Sequence, residues 1–290
     1  MVLNSCAKLN LYLAVLRKRK DTYHNLETLF ERIDLCDTIA LKSRRDNRIT
    51  ISTNSARIPQ DRRNLAWHAA ALLREHCGIE RGVDIRIIKR IPVGSGMGGG
   101  SSNAASVLTG LNRLWKLGLS RSQLVGLGEK LGADVPFFLY DTPFARGTQR
   151  GDCIGPVGAL RKARFWHVVV VPRIQVSTPL VYQKWDMLPR KVRLTKSHSN
   201  VRLLLLALKK KDFSLIGAHL FNSLEQVSLA LYPEIGYIKE KLAALGLKSI
   251  LMSGSGPAVF GMVSSRKEAH SLGRQLKRTR RWHVYVTHTS

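Results

Sequence analysis

The sequence predicts an α+β protein built as two lobes. Three observations carry this. Apolar runs of strand length and amphipathic runs of helical period both occur, without the strict alternation that a parallel α/β sheet requires. The chain has 290 residues, which suits two modest domains or one large one. A Gly/Pro-rich stretch from Gly151 to Ala163 divides it near residue 155, giving expected lobes of 1–155 and 156–290.

In order, Leu9 to Leu16 is β-prone and is followed by a basic turn, Arg17 to Tyr23. Leu26 to Leu41 reads as one long or two short strands, and Ile49 to Thr53 as another. Asn64 caps a helix through His76, with Leu65, Ala69, Leu72 and Leu73 on one face and Gly78 as its stop. Val83 to Ile91 is a strand, a glycine loop follows, and a helix is expected from Ser101 to Trp115. Ser120 with Gln123 forms a capping box for a helix to Leu131, which Gly132 ends. Phe165 to Val171 is an apolar strand closed by Pro172. Helical patterns then cover Pro179–Trp185, Ser199–Leu208, Phe213–Phe221 and Pro233–Leu245. Strands at Ser249–Met252 and Ala258–Val263, a helix at Lys267–Lys277 and a strand at Trp282–Thr287 complete the chain, with no internal repeat.

The hydrophobic content of 44% is enough for a packed core. The net charge of +27 favours anionic ligands. Its basic clusters (Arg17–Lys20, Arg44–Arg48, Lys209–Lys211, Arg274–Arg281) are dispersed rather than gathered into a stripe with interleaved aromatics, so nucleic acid is a less favoured partner than a small anionic substrate. Cys6, Cys36, Cys77 and Cys153 lie far apart without zinc-ligand spacing, and four free thiols are expected. The first basic cluster follows the apolar N-terminal run, the wrong order for a signal peptide, and no apolar run reaches membrane-spanning length. These features point to the cytoplasm. The oligomeric state and any metal ligands stay open.

The most specific segment is the run Pro92, Val93, Gly94, Ser95, Gly96, Met97, Gly98, Gly99, Gly100, Ser101, Ser102, Asn103, in which five of twelve residues are glycine. A glycine loop entering a helix N-terminus aims free N–H groups and the helix dipole at one spot, which suits a phosphate. The Ser101 and Ser102 hydroxyls add donors or reach a metal. A Walker-type loop fails, because Ser101 and not lysine follows Gly100. A dinucleotide fingerprint fits Gly94, Gly96 and Gly99 but lacks its acidic partner, since no Asp or Glu lies between Asp84 and Glu129. A flexible linker rarely sits between a strand and an amphipathic helix.

Three further segments offer chemistry for phosphoryl transfer to an alcohol, which needs neutralised phosphate charge, a held hydroxyl and a base. Lys8 and Asn10 share one face of an apolar strand, and a lysine there calls for a partner unless it snorkels at an edge. Asp134, between a helix stop and an apolar stretch, is that partner or else a turn acid. Met252 to Pro257 is a small-residue turn that permits close backbone approach to a ligand, or a plain hairpin. Tyr23 and His24 suit a planar base, as does Tyr182 on an opposite wall, although a surface pair and a core aromatic are the simpler alternatives.

Together, A-K-x-N-L, D-x-Y-H-x-L-x-T-L-F, P-x-G-x-G-x-G-G-G-S-S-N-A-A, G-A-D-V-P-F-F and S-G-S-G-P resemble the GHMP kinases over nearly the whole chain, from Ala7 to Phe260. Within that superfamily they are most similar to the branch that phosphorylates 4-diphosphocytidyl-2-C-methyl-D-erythritol on its 2-hydroxyl in the non-mevalonate route to isoprenoid precursors. The resemblance implies a two-lobed GHMP kinase fold with the active site between the lobes. It also implies ATP over Pro92 to Ser102, with Lys89 beside the nucleotide and Asn64 and Leu65 near the adenine, and Mg²⁺ accompanying the ATP. Asp134 would be the general base and Lys8 its partner. Tyr23, His24 and Tyr182 would frame the cytosine, and Asn10 would hold the methylerythritol. The chain departs from the pattern at Thr22, Ser95, Met97 and the Arg150-Gly151-Asp152 segment. Another acceptor alcohol, or a basic nucleic-acid-binding protein that kept the fold, are the alternatives.

Overall fold

A computed structural model describes residues 1–21, 23–189 and 200–290. Thr22, and Ser199 at the expected start of a helix, lie outside the described residues.

Strands β1 (Val2–Lys18) and β2 (His24–Arg44) form a long antiparallel pair at the centre of a seven-stranded sheet. Every residue from Ala7 to Val15 is buried, so β1 is covered on both faces. That explains its poor polar/apolar alternation in the sequence. Strands β3 (Ile49–Thr53) and β4 (Gly82–Ile88) extend the sheet beyond β2. Strand β5 (Phe144–Thr148) pairs with β2, and β6 (Cys153–Pro156) pairs with β5. Helices α1 (Leu65–Cys77), α2 (Gly99–Leu114), α3 (Arg121–Leu131) and α4 (Val135–Leu139) follow in this half. α1, α2 and α3 share an apolar core with β2 and β4 through Ile39, Leu41, Ile85, Ile87, Leu73, Leu108 and Leu127.

The second half carries a four-stranded sheet in the order β11-β7-β10-β9, made of β7 (Trp166–Pro172), β9 (Ser249–Met252), β10 (Val259–Val263) and β11 (Trp282–His288). Its helices are α5 (Thr178–Asp186), α6 (Val201–Lys210), α7 (Phe213–His219), α8 (Glu225–Leu231), α9 (Pro233–Ala244) and α10 (Arg266–Lys277). A short β8 (Phe221–Asn222) runs parallel to β1 and returns this half to the first sheet. The two sheets share a core in which Leu9, Leu29 and Ile33 meet Val169, Leu251 and Phe260.

The strongest local signals fold as read. Asn64 accepts from the N–H of Ala66, Gly78 takes a left-handed φ of 61°, and the Ser120/Gln123 capping box closes in both directions. Two boundaries beside the glycine loop move for physical reasons. β4 ends at Ile88, not Ile91, because the Asp37 carboxylate takes the backbone N–H groups of Arg90 and Ile91. α2 begins at Gly99, not Ser101, because Gly98 turns left-handed (φ 68°) directly before it. The expectation of four free thiols is corrected. Cys6 and Cys36 face each other in the β1–β2 register and form a disulfide, while Cys77 and Cys153 are free. Among the described residues no helix is long and apolar enough to cross a membrane.

Candidate active site

The site is built where β1, the glycine loop, the start of α4 and the β9–β10 turn converge. β1 breaks register with β2 between Cys6 and Lys8 and again between Asn10 and Tyr12. Bulges of this kind re-aim side chains next to active sites, and here Lys8 and Asn10 lie between two of them. Lys8 is 4% exposed, and its ammonium donates to Asn10 Oδ1 and lies 3.3 Å from Asp134 Oδ2. Asn10 in turn donates to Thr28 Oγ1 at 2.9 Å, and Thr28 donates to the Tyr12 carbonyl. This chain holds the ammonium at one place.

Asp134 precedes α4 but makes no side-chain capping bond. The turn-acid alternative would have spent its carboxylate on the helix. Instead it faces Lys8, with a side chain 34% exposed to the cleft. A buried cation beside a solvent-reachable carboxylate is the arrangement that proton removal from an alcohol requires.

The glycine loop arches over this pair. Gly94, Gly96 and Gly98 have φ of 68°, 76° and 68°. At Gly96 a Cβ would lie 2.2 Å from the Ser253 carbonyl oxygen, so only glycine lets the β9–β10 turn pack on the loop. Ser253 Oγ donates to the Gly96 carbonyl, and the N–H of Ala258 donates to the Ser95 carbonyl. The small residues of Met252–Pro257 thus buttress the loop from the second half of the molecule. At the other end, Ser102 N–H makes the first α2 bond, to Gly98. The N–H groups of Gly99, Gly100 and Ser101 have no helical acceptor and point at the space in front of the helix.

Two cavities meet at this loop. One, of about 340 Å³, is lined by Asn64, Leu65, Lys89, Pro92, Val93, Gly94, Ser95, Gly100 and Asn103. The other, of about 710 Å³, is lined by Lys8, Asn10, Tyr23, His24, Asp134 and Tyr182. Gly96, Gly98 and Ser101 line both. The expected nucleotide residues therefore gather on one side of the loop and the expected acceptor residues on the other. Two side chains of the loop point elsewhere. Met97 is fully buried in the core, and the Ser102 hydroxyl donates to the Cys6 carbonyl and lies against Ser5. Ser101 is the loop hydroxyl that reaches both cavities.

Sequence reasoning missed several residues here. Asp186, at the end of α5, accepts from His24 Nε2 at 2.7 Å and from Lys18 Nζ at 2.6 Å. Burial alone would push its carboxyl up, but the bonds from Lys18 and His24 outweigh this and hold it below the usual carboxylate range. The His24 ring stacks on Tyr182 at 5.2 Å. Burial, and then the negative charge of Asp134, push the Tyr182 phenol up, so it stays a neutral hydroxyl. Arg150 lies over the Tyr23 ring at 5.5 Å and pairs with Asp152. Asp37 holds Lys89 in a sealed ion pair. Except for Arg150 and Asp152, two residues apart, these partners carry no local sequence signal, because each lies far along the chain from the group it holds.

Comparison with known proteins bears on this geometry. Residues 64–142 match the GHMP kinases N terminal domain and residues 204–280 the GHMP kinases C terminal domain. A 4-diphosphocytidyl-2-C-methyl-D-erythritol kinase of Geobacter metallireducens is 41% identical over 98% of this chain and 96% of its own length. The enzyme of that name from Shouchella clausii is 41% identical over 92% of this chain and 86% of its own. The crystal structure of a 4-(cytidine 5'-diphospho)-2C-methyl-D-erythritol kinase superposes with a TM-score of 0.81 at 33% identity, covering all of both chains. A homoserine kinase from Cytophaga hutchinsonii, at 22% identity and a TM-score of 0.72, shares the fold. The relatives over nearly full length, the two domain matches and the loop between two cavities agree: this chain belongs to the GHMP kinases, in the family of the 4-diphosphocytidyl-2-C-methyl-D-erythritol kinases.

Proposed function

We propose that this protein transfers the γ-phosphoryl group of ATP to the 2-hydroxyl of 4-diphosphocytidyl-2-C-methyl-D-erythritol, a step in isoprenoid precursor synthesis. The observation that carries the reading is the Lys8–Asp134 pair, 3.3 Å apart beneath the stretch of loop shared by the two cavities. ATP fits the smaller cavity, with its phosphates on the loop N–H groups and the dipole of α2. The acceptor fits the larger, with its base among Tyr23, His24 and Tyr182 and its polyol near Asn10. Asp134 takes the hydroxyl proton as the oxygen attacks phosphorus, and Lys8 stabilises the charge that develops on that oxygen and on the transferring group. Mg²⁺ would come with the triphosphate and offset its charge. Such an ion keeps several waters and needs few protein oxygens; Ser101, which lines both cavities, and Asp134, which lines the larger, would be oxygen donors for it.

The lobes are proposed to divide near residue 155, at β6 and before the start of β7, with β8 returning to the first sheet. A cytoplasmic location goes with ATP as co-substrate.

The test is ATP-dependent phosphorylation of the named acceptor by the purified protein, with Asp134→Asn alongside. Turnover that collapses in the variant supports the reading. No turnover in either, at saturating ATP and Mg²⁺, overturns it in favour of another acceptor alcohol.

A further inference from the structure

Asp37 lies in β2 with no exposed surface, and no step above uses it. Its Oδ1 accepts the backbone N–H of Arg90 at 2.7 Å and of Ile91 at 2.9 Å. Its Oδ2 accepts from the Lys89 ammonium and from Asn103 Nδ2, the latter at 2.9 Å. Arg90 and Ile91 immediately precede Pro92, where the glycine loop begins, and Asn103 follows Ser102, where it ends. One carboxylate therefore ties down both ends of the loop. Asn103 is braced further by a bond from Nδ2 to Ser5 Oγ at 2.9 Å and by Lys89 Nζ at 3.3 Å from its Oδ1.

A negative charge here is unexpected, because it sits behind a loop whose task is to receive a triphosphate. Left bare, it would repel the ligand and be costly to bury. Lys89, its side chain 7% exposed, cancels it. The consequence is that the Lys89 charge is committed inside the protein, although the residue lines the nucleotide cavity. Apart from Arg63 at the cavity wall, binding strength then rests on the loop N–H groups, which act only if they converge. Three left-handed glycines make the loop soft, so its aim depends on what fixes its ends.

We propose that Asp37 is the positioning residue of the phosphate loop, and that Lys89 serves ATP through Asp37 rather than by touching a phosphate. This rests on reading the loop as the ATP site, and an ATP dissociation constant tests it without any acceptor alcohol. The comparison is between two uncharged double variants, Asp37→Asn with Lys89→Met and Asp37→Ala with Lys89→Met. Both remove the ion pair, but only the first keeps an acceptor for the N–H groups of Arg90 and Ile91. The alanine pair is expected to bind ATP at least about tenfold more weakly than the asparagine pair, while the Michaelis constant for the acceptor agrees within about twofold. Equal ATP affinity in the two would overturn the proposal and leave Asp37 as a mere counter-ion. If the alanine pair does not fold, Asn103→Ala decides, since it frees the far end of the loop and keeps the ion pair. A roughly threefold or greater loss of ATP affinity supports the anchor, and an unchanged value overturns it. Glu31→Gln, a buried change away from the loop, serves as the control: it should lower stability without moving ATP affinity.

Discussion

Two lysine–aspartate pairs flank the same glycine loop and differ chiefly in their access to water. Lys8 and Asp134 lie 3.3 Å apart, with the carboxylate 34% exposed. Lys89 and Asp37 are in direct contact, with side chains 7% and 0% exposed. Asp134 makes no capping bond, whereas Asp37 accepts four hydrogen bonds. The open pair keeps a carboxylate lone pair available to a substrate proton. In the sealed pair nearly all acceptor capacity is spent on the fold. Identical chemical groups thus do opposite work, and solvent access together with hydrogen-bond saturation decides which.

The largest effect is expected at the open pair. Asp134→Asn should lower kcat by about 10²–10⁴-fold, the usual worth of a positioned general base. Its melting temperature should fall less than that of Lys8→Met, because Asp134 is a third exposed and makes no capping bond, and the Lys8 ammonium it leaves keeps Asn10 Oδ1 as an acceptor. Steady-state rates and thermal melts on one preparation check both. Lys8→Met should also lower kcat steeply, by about 10²-fold or more. It should cost more stability than Asp134→Asn, because Asn10 Oδ1 also loses its buried donor. A stability loss in Asp134→Asn equal to that in Lys8→Met would break the distinction between a reactive and a structural carboxylate.

A third buried pair sharpens the contrast, because it touches neither cavity. His167 Nε2 lies 2.9 Å from Glu31 Oε1, with both side chains fully buried, and Thr289 Oγ1 donates to the same oxygen at 2.5 Å. β2, β7 and the C-terminal residues meet there. Glu31→Gln weakens the buried hydrogen bonds to His167 and Thr289 and should cost about 1–3 kcal/mol of unfolding free energy, measured by urea denaturation, with both Michaelis constants unchanged. A shift in either constant would mean that the packing of the two sheets, and not only the loop, sets substrate affinity.

What the sequence disclosed follows the same division. Asn64, Gly78 and the Ser120/Gln123 box act within a few residues, so local physics sufficed. Lys8, Asp134 and the glycine run were legible because their residue types are costly or unusual in their local settings. Asp37 was not. It stands in an ordinary strand run, Leu35-Cys36-Asp37-Thr38, and its partner Lys89 is brought to it by the pairing of β2 with β4. The Cys6–Cys36 bond was invisible for the same reason, being a product of the β1–β2 register. α8 escaped notice because it is short and Leu224, the residue before it, offers no side-chain cap. β5 escaped because Gly147 interrupts five residues with no clean alternation.

The smallest effect is expected at the far end of the acceptor cavity, where Asp186 holds His24 from one side and Lys18 from the other. His24 packs on Tyr182 and edge-on against Trp185, so removing the carboxylate should loosen the ring without displacing it. Asp186→Ala should therefore raise the Michaelis constant of the acceptor by up to about tenfold, the value of one charge-assisted bond. kcat and the ATP constant should stay near wild type, since the Lys8–Asp134 pair is untouched. The pH dependence gives a second reading. The folded carboxyl titrates below its ordinary 3.8, so its contribution to stability is complete above that value and is lost as pH falls through the lower, folded one. The stability gap between wild type and Asp186→Ala should be constant from neutral pH to about 4 and close only in stronger acid. A gap that closes between pH 5 and 7 would mean that the Asp186 carboxylate does not carry the linkage.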